Sequence, residues 1–215
     1  MTKLMLVDDH DLVRTGIKRL LEEIAEFEIV AEATCGEEAI RLVREAQPEV
    51  VLMDINMPGI GGLEATRKLL QSNPDIKIIG LTMHEDDLFP HRLLKAGALG
   101  YVTKGAKVEE IVEAIKTVSN NKRYLSPVVA QNMALSSFQD DESTPFDSLS
   151  ERELQVLMMM MDGQSITVIS EKLFLSPKTI STYRSRLYAK LGVQSDIELA
   201  RLALQYGIVE NSNLA

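Results

Sequence analysis

Asp8, Asp9, Asp54, Thr82 and Lys104 are the residues of this chain whose types can do chemistry together. Converging carboxylates repel one another unless a cation neutralises them. Hard oxygen donors with no sulfur or evident histidine partner favour Mg2+. A carboxylate beside Mg2+ and a lysine can attack a phosphoryl group, because both cations offset charge on its equatorial oxygens. The product is an aspartyl phosphate, with Thr82 and Lys104 available to bind its oxygens. Taken singly, each residue has a plainer reading: Asp8 and Asp9, for instance, can merely cap the next helix.

A fold that gathers all five is written into the first 120 residues. Short apolar runs at 3–7, 29–33, 50–53, 76–81 and 99–102 read as buried strands. Amphipathic stretches at 12–25, 37–46, 63–71, 90–96 and 108–119 read as helices. In the last of these Val108, Ile111, Val112, Ile115 and Val118 share one face. Five strands alternating with five helices imply an α/β doubly wound, flavodoxin-like domain with a parallel sheet covered on both faces. Ligands of such sheets bind outside the carboxyl ends of the strands. Asp8 and Asp9 follow the first strand, Asp54 the third and Lys104 the fifth, while Thr82 ends the fourth.

The charge distribution separates this domain from the rest of the chain. Of the 215 residues, 1–130 carry 16 basic and 21 acidic groups, 131–150 carry none and 4, and 151–215 carry 7 of each. The acidic, proline-ended stretch 136–145 reads as the core of a linker over 121–146, with a short helix possible from Tyr124 to Leu135. Residues 147–215 read as a small all-α domain. Ser150 with Glu153 and Ser195 with Glu198 offer capping boxes, Ser176-Pro177 a cap with a first-turn proline, and Gly163, Gly192 and Gly207 helix stops.

Four helices, with a tight turn at 174–176, make a helix-turn-helix unit. Its second helix, 176–191, turns Ile180, Tyr183, Leu187 and Leu191 inward. Lys178, Thr179, Ser181, Thr182, Arg184, Ser185, Arg186 and Lys190 are its candidate DNA contacts, and no acid interrupts Lys172 to Lys190. Alone, such a cation run is as readily a solvated face.

Val7-Asp8-Asp9-His10, Met53-Asp54-Ile55-Asn56-Met57-Pro58-Gly59, Leu81-Thr82 and Tyr101-Val102-Thr103-Lys104-Gly105 resemble the receiver domain of bacterial response regulators, from about residue 3 to 119, and imply a receiver domain over 1–120. The resemblance implies phosphorylation at Asp54. It implies Mg2+ held by Asp9, Asp54 and the Asn56 carbonyl, with Asp8 acting through water. Thr82 and Tyr101 match the switch positions and Lys104 the phosphate-binding lysine, while Asn56 and His84 match positions that tune dephosphorylation.

Leu149-Ser150-Glu151-Arg152-Glu153-Leu154 and Leu175-Ser176-Pro177-Lys178-Thr179-Ile180 resemble the LuxR-type helix-turn-helix of the NarL/FixJ class. Ser181 and Arg184 depart from the class, which more often has lysine and an apolar residue there. Thr182-Tyr183-Arg184-Ser185-Arg186-Leu187 and the receiver's Gly59 to Lys68 are similar to the GacA/UvrY/SirA subgroup. The two resemblances together imply a transcription regulator phosphorylated by a sensor histidine kinase or phosphorelay, binding promoter DNA of small regulatory RNA genes. Such a protein catalyses only its own phosphorylation and dephosphorylation.

No apolar run reaches the roughly 18 residues of a membrane span, and Cys35 is the only cysteine, so a cytoplasmic protein without a membrane partner is expected. The last helix carries Ile197, Leu199, Ala200, Leu202, Ala203, Leu204 and Tyr206, more apolar residues than one buried face uses. A homodimer contact is the expected cover, the receiver the alternative. Met158 to Met161 read as core filling, Cys35 as a buried small hydrophobe and Glu85-Asp86-Asp87 as a solvated run. His10, His84 and His91 lack metal-ligand spacing. A phosphatase acting on external esters and a small-molecule-sensing LuxR-type regulator are the competing classes. The first lacks a substrate-covering insertion, and the second is disfavoured by the acidic constellation.

Overall fold

A computed structural model describes residues 1–82, 88–136, 144–206 and 208, and the chain splits into two compact units, Met1–Phe138 and Gln139–Ala215. His84, Glu85, Asp86, Asp87, Gly207 and most of the acidic stretch 136–145 lie outside the described residues.

In the first unit the strands are β1 (Thr2–Val7), β2 (Phe27–Ala33), β3 (Val50–Asp54), β4 (Lys77–Thr82), β5 (Gly100–Thr103) and β6 (Tyr124–Leu125). They form one parallel sheet in the order β2-β1-β3-β4-β5-β6. The helices are α1 (Asp11–Glu22), α2 (Gly36–Ala46), α3 (Gly61–Ser72), α4 (Leu88–Lys95), α5 (Val108–Ser119) and α6 (Pro127–Ser136). β3 is buried along its whole length, as a central strand covered on both faces must be. Leu4, Leu6, Val50 and Leu52 point to one face, where they meet Ile17 and Leu21 of α1 and Ile111, Ala114, Ile115 and Val118 of α5. Their alternates Met5, Val7, Val51 and Met53 are equally buried on the other face.

The register aligns the strand ends. Val7 pairs with Met53, Asp54 with Leu81 and Thr82 with Thr103, so Asp8, Asp54, Thr82 and Lys104 leave the sheet along one edge. The order reverses between β1 and β3, which puts Asp8 and Asp54 at the crevice where doubly wound sheets bind ligands.

The sixth strand and α6 extend the first unit into the segment that the sequence pattern assigns to the linker. After α5 the chain reverses through Asn121, which adopts a left-handed φ of 57°, a conformation asparagine tolerates well. Tyr124 N then donates to the Leu99 carbonyl at 2.9 Å and Ser126 N to that of Tyr101 at 3.1 Å. Two paired residues are too few to show a period of two.

The second unit holds, among its described residues, a 3-10 turn (Pro145–Ser148) and the helices α7 (Glu151–Met161), α8 (Ile166–Lys172), α9 (Pro177–Leu191) and α10 (Asp196–Gln205). Ser150 caps α7 in a full capping box, its N–H donating to Glu153 Oε2 at 2.8 Å. Ser176 caps α9 and Ser195 caps α10. Glu198 departs from the expected box, because its carboxylate accepts from Gln194 N, at 2.7 Å, one residue before the cap. Gly163 and Gly192 adopt left-handed φ of 73° and 68° at helix ends, where any side chain would be strained. Of the methionine run, Met158 and Met161 are buried, while Met159 and Met160 are half-buried.

Candidate functional site

The acidic constellation assembles around one buried cation. Lys104 Nζ lies 2.8 Å from Asp8 Oδ2 and 2.7 Å from Asp54 Oδ2, and all three side chains are at most 4% exposed. Lys104 is carried there by β5 pairing, its backbone N–H donating to the Thr82 carbonyl at 2.6 Å. The other Asp54 oxygen accepts from Asn56 N at 3.1 Å. Burial pushes the Asp54 carboxyl up from 3.8 to about 6, with the like charge of Asp8 adding to the rise and Lys104 opposing it. One lysine cannot neutralise three carboxylates. Ligand-capable atoms of Asp8, Asp9, His10 and Asp54 all lie within 4.8 Å of one another. Such a set, rich in carboxylate oxygen and negatively charged, fits a hard divalent cation.

The loop after Asp54 is shaped by glycine. A Cβ on Gly62 would fall on the Asp54 carbonyl oxygen, so only glycine lets the start of α3 approach β3. From α2, Glu37 Oε1 accepts the Ile60 N–H at 3.0 Å and holds that loop from outside. Thr82 and Tyr101 are fully buried, as expected of an end-of-strand hydroxyl and an inward aromatic. Gly80, paired with Tyr101, leaves room for Leu93 of α4, which a side chain there would strike.

Two neighbours of the pocket escaped the sequence reading. His10 Nδ1 lies 3.3 Å from Asp8 Oδ1 and 3.2 Å from Asp9 Oδ1, a proximity to carboxylates that histidine–histidine spacing does not test. Arg14 on α1 donates from Nη1 to the Asp8 carbonyl at 2.7 Å and is itself held by Asp11 and Glu32. It fixes the backbone that aims Asp8. Cys35 is half-buried at the start of α2 rather than fully enclosed, since capping a helix leaves it near the surface.

On α9 the eight candidate contacts divide. Ile180, Leu187 and Leu191 are buried and hold the helix to its unit. Tyr183 is only half-buried, a correction to its inward reading: it joins Lys178, Thr179, Thr182 and Arg186 around one concavity, with the Arg186 guanidinium 6.0 Å from its ring centroid. Lys178, Ser181, Thr182, Ser185 and Arg186 are exposed. The hydroxyls of Ser181, Thr182 and Ser185 donate to carbonyls one turn back, which leaves their lone pairs facing out.

Arg184 and Lys190 are engaged elsewhere. Arg184 pairs with Asp196, and Lys190 Nζ lies 2.6 Å from Glu153 Oε2 and 2.9 Å from the Ser148 carbonyl. Glu153 is buried. Burial alone would raise its carboxyl, but Lys190 and the Ser150 N–H and hydroxyl outweigh it and hold the group below the usual range. On α10, Leu199 and Ala203 are buried, whereas Ile197 is 75% exposed, and Tyr206 packs edge-on against Phe146 at 5.8 Å. Among the described residues no helix is long and apolar enough to cross a membrane.

A parallel α/β unit with a lysine-bridged aspartate pocket, joined to a four-helix unit with a helix-turn-helix, defines a class. Comparison with known families agrees: residues 4–116 match the response regulator receiver domain and residues 147–203 the luxR family of bacterial regulatory proteins. The chain belongs to the response regulators with a LuxR-type DNA-binding domain. Within them it is 56% identical to response regulator GacA of Pseudomonas aeruginosa, over 98% of this chain and 99% of that one. It is 48% identical to response regulator UvrY of Escherichia coli over 100% and 99%. Among solved structures it is similar to RcsB of Salmonella enterica serovar Typhimurium bound to promoter rprA in the presence of phosphomimetic BeF3-. That match has a TM-score of 0.68 and 25% identity, over 97% of this chain and 100% of that one.

Proposed function

We propose that Asp54 accepts a phosphoryl group from a sensor histidine kinase or phosphorelay protein, and that the phosphorylated chain binds promoter DNA through α9 as a homodimer. A carboxylate oxygen of Asp54 attacks phosphorus, the bond from phosphorus to the donor breaks, and an aspartyl phosphate forms. Asp8, Asp9 and Asp54, with the Asn56 carbonyl, would hold Mg2+, which supplies charge neutralisation for the phosphoryl oxygens. Lys104 follows the new charge from carboxylate to phosphoryl oxygen, and the Thr82 hydroxyl meets another. Thr82 and Tyr101 shift inward and bias the two-state face of α4, β5 and α5. The observation that carries this reading is the Lys104 ammonium held between two buried carboxylates at the carboxyl edge of the sheet.

The same reading makes the chain a cytoplasmic regulator that catalyses only its own phosphorylation and dephosphorylation. The resemblance to the GacA/UvrY/SirA subgroup implies small regulatory RNA genes as its targets, and the promoter-bound RcsB structure supports DNA as the ligand of α9. Capture of fragmented genomic DNA by the full chain, with and without acetyl phosphate and Mg2+, tests the proposal. Loci enriched only after phosphorylation, and lost in Asp54→Asn, are expected. The same loci under all conditions would reduce Asp54 to a bystander.

A further inference from the structure

Arg184 stands where the sequence puts a DNA contact, yet its guanidinium is turned to another helix. Its Nε and Nη2 reach the two carboxylate oxygens of Asp196 at 3.1 and 2.5 Å, and Nε also donates to Tyr188 Oη at 2.9 Å. The Tyr188 hydroxyl closes the ring by donating to Asp196 Oδ1 at 2.5 Å, and the guanidinium lies 5.4 Å over the Tyr188 ring centroid. Asp196 is the first residue of α10, so this cluster ties the start of α10 to the middle of α9 across the turn at Gly192. A fork on both oxygens of one carboxylate is a geometry that lysine cannot reproduce. Lys178 and Arg186, by contrast, have no carboxylate partner among the described residues.

We propose that Arg184, Tyr188 and Asp196 form a brace that fixes α10 on the reading helix, that Arg184 makes no phosphate contact, and that Lys178 and Arg186 are the α9 cations that meet the DNA backbone. The proposal rests on the reading of α9 as the DNA-binding element. The fork commits Nε and Nη2 to Asp196, and the carboxylate offsets the guanidinium charge that would otherwise attract a phosphate. The arginine at 184 is thus a positioning residue, acting on DNA through the placement of α10.

Counterion release separates the two roles. Affinity of the full chain, treated with acetyl phosphate and Mg2+, is measured for a mixed-sequence DNA duplex across a salt series. K178Q and R186Q should each flatten the slope of log affinity against log salt by about 1. R184Q should leave the slope unchanged and weaken binding about two- to fivefold, the scale of a half-exposed but bidentate pair. R184K keeps a charge but not the fork and should behave as R184Q, not as wild type. D196N should weaken binding by a similar factor, and R184Q with D196N together should be no weaker than either alone.

The brace is overturned if R184Q flattens the slope and R184K restores it, or if D196N steepens the slope and tightens binding. Unmoved slopes in K178Q and R186Q would overturn the DNA reading of α9 itself. Helical circular dichroism and thermal melting check that each variant is folded, and Y188F carries the test should R184Q fail to fold.

Discussion

In the acidic pocket Lys104 is almost wholly buried and bridges two buried carboxylates, whereas on α9 Lys178 and Arg186 stand in solvent without a carboxylate partner among the described residues. Lys104, Asp8 and Asp54 are buried together, so their charges are strongly coupled and the loss or gain of one alters the others. The α9 surface is solvated, so each side chain there contributes modestly and answers to salt. On the proposed reading, the first region answers a single covalent event and the second sums several weak contacts.

The sharpest test of the pocket is Asp54→Asn. Acetyl phosphate with Mg2+ should add one phosphoryl mass to the wild-type chain and none to D54N, read by intact-mass spectrometry; a full adduct on the variant would place the acceptor elsewhere. Next in size is Lys104→Ala, which strands two buried carboxylates and should lower stability by about 3 kcal/mol in urea unfolding. A loss too small to resolve would make the pocket as wet as the surface of α9 and erase the contrast.

The pH dependence arises from the raised Asp54 carboxyl. Between pH 3.8 and about 6 the folded chain keeps a proton that the unfolded chain has released. The contribution of Asp54 to stability therefore falls as pH rises through that window and stays low above it. With a chelator present, D54N should be the more stable protein at neutral pH by at most ~3 kcal/mol, the gap closing near pH 4. A gap that persists at pH 4 would assign the effect to packing. The smallest effect belongs to Lys190→Gln, where exposure of the lysine limits the loss to about 1 kcal/mol. Addition of Glu153→Gln should recover part of it, since the buried charge is then removed along with its partner.

The carboxylates, the hydroxyl and the lysine were legible because Asp8, Asp54, Thr82 and Lys104 sit at strand ends, and strand ends can be read from short apolar runs. Asp8, Asp54, Thr82 and Lys104 needed only the parallel register to meet. Arg14 was not legible, because it acts on the Asp8 carbonyl, and backbone contacts leave no trace in residue type. Arg184 and Lys190 read as free cations because the acids that engage them, Asp196 and Glu153, lie 12 and 37 residues away on other helices. A stretch without acids is therefore not a stretch without partners. Tyr183 sits between the two categories, its ring half in the core and half under Arg186.

β6 carries a consequence for anyone dividing the chain. It covers the outer edge of β5, pairing Gly100 with Tyr124 and Tyr101 with Leu125, and α6 behind it buries Val129 completely. A cut at the composition shift near Asn120 would strip that cover and bare a raw β edge beside the aromatic at 101. Such edges recruit their own kind. A first unit that ends after α6 keeps that cover, and fragments trimmed closer should self-associate more readily, which light scattering would show.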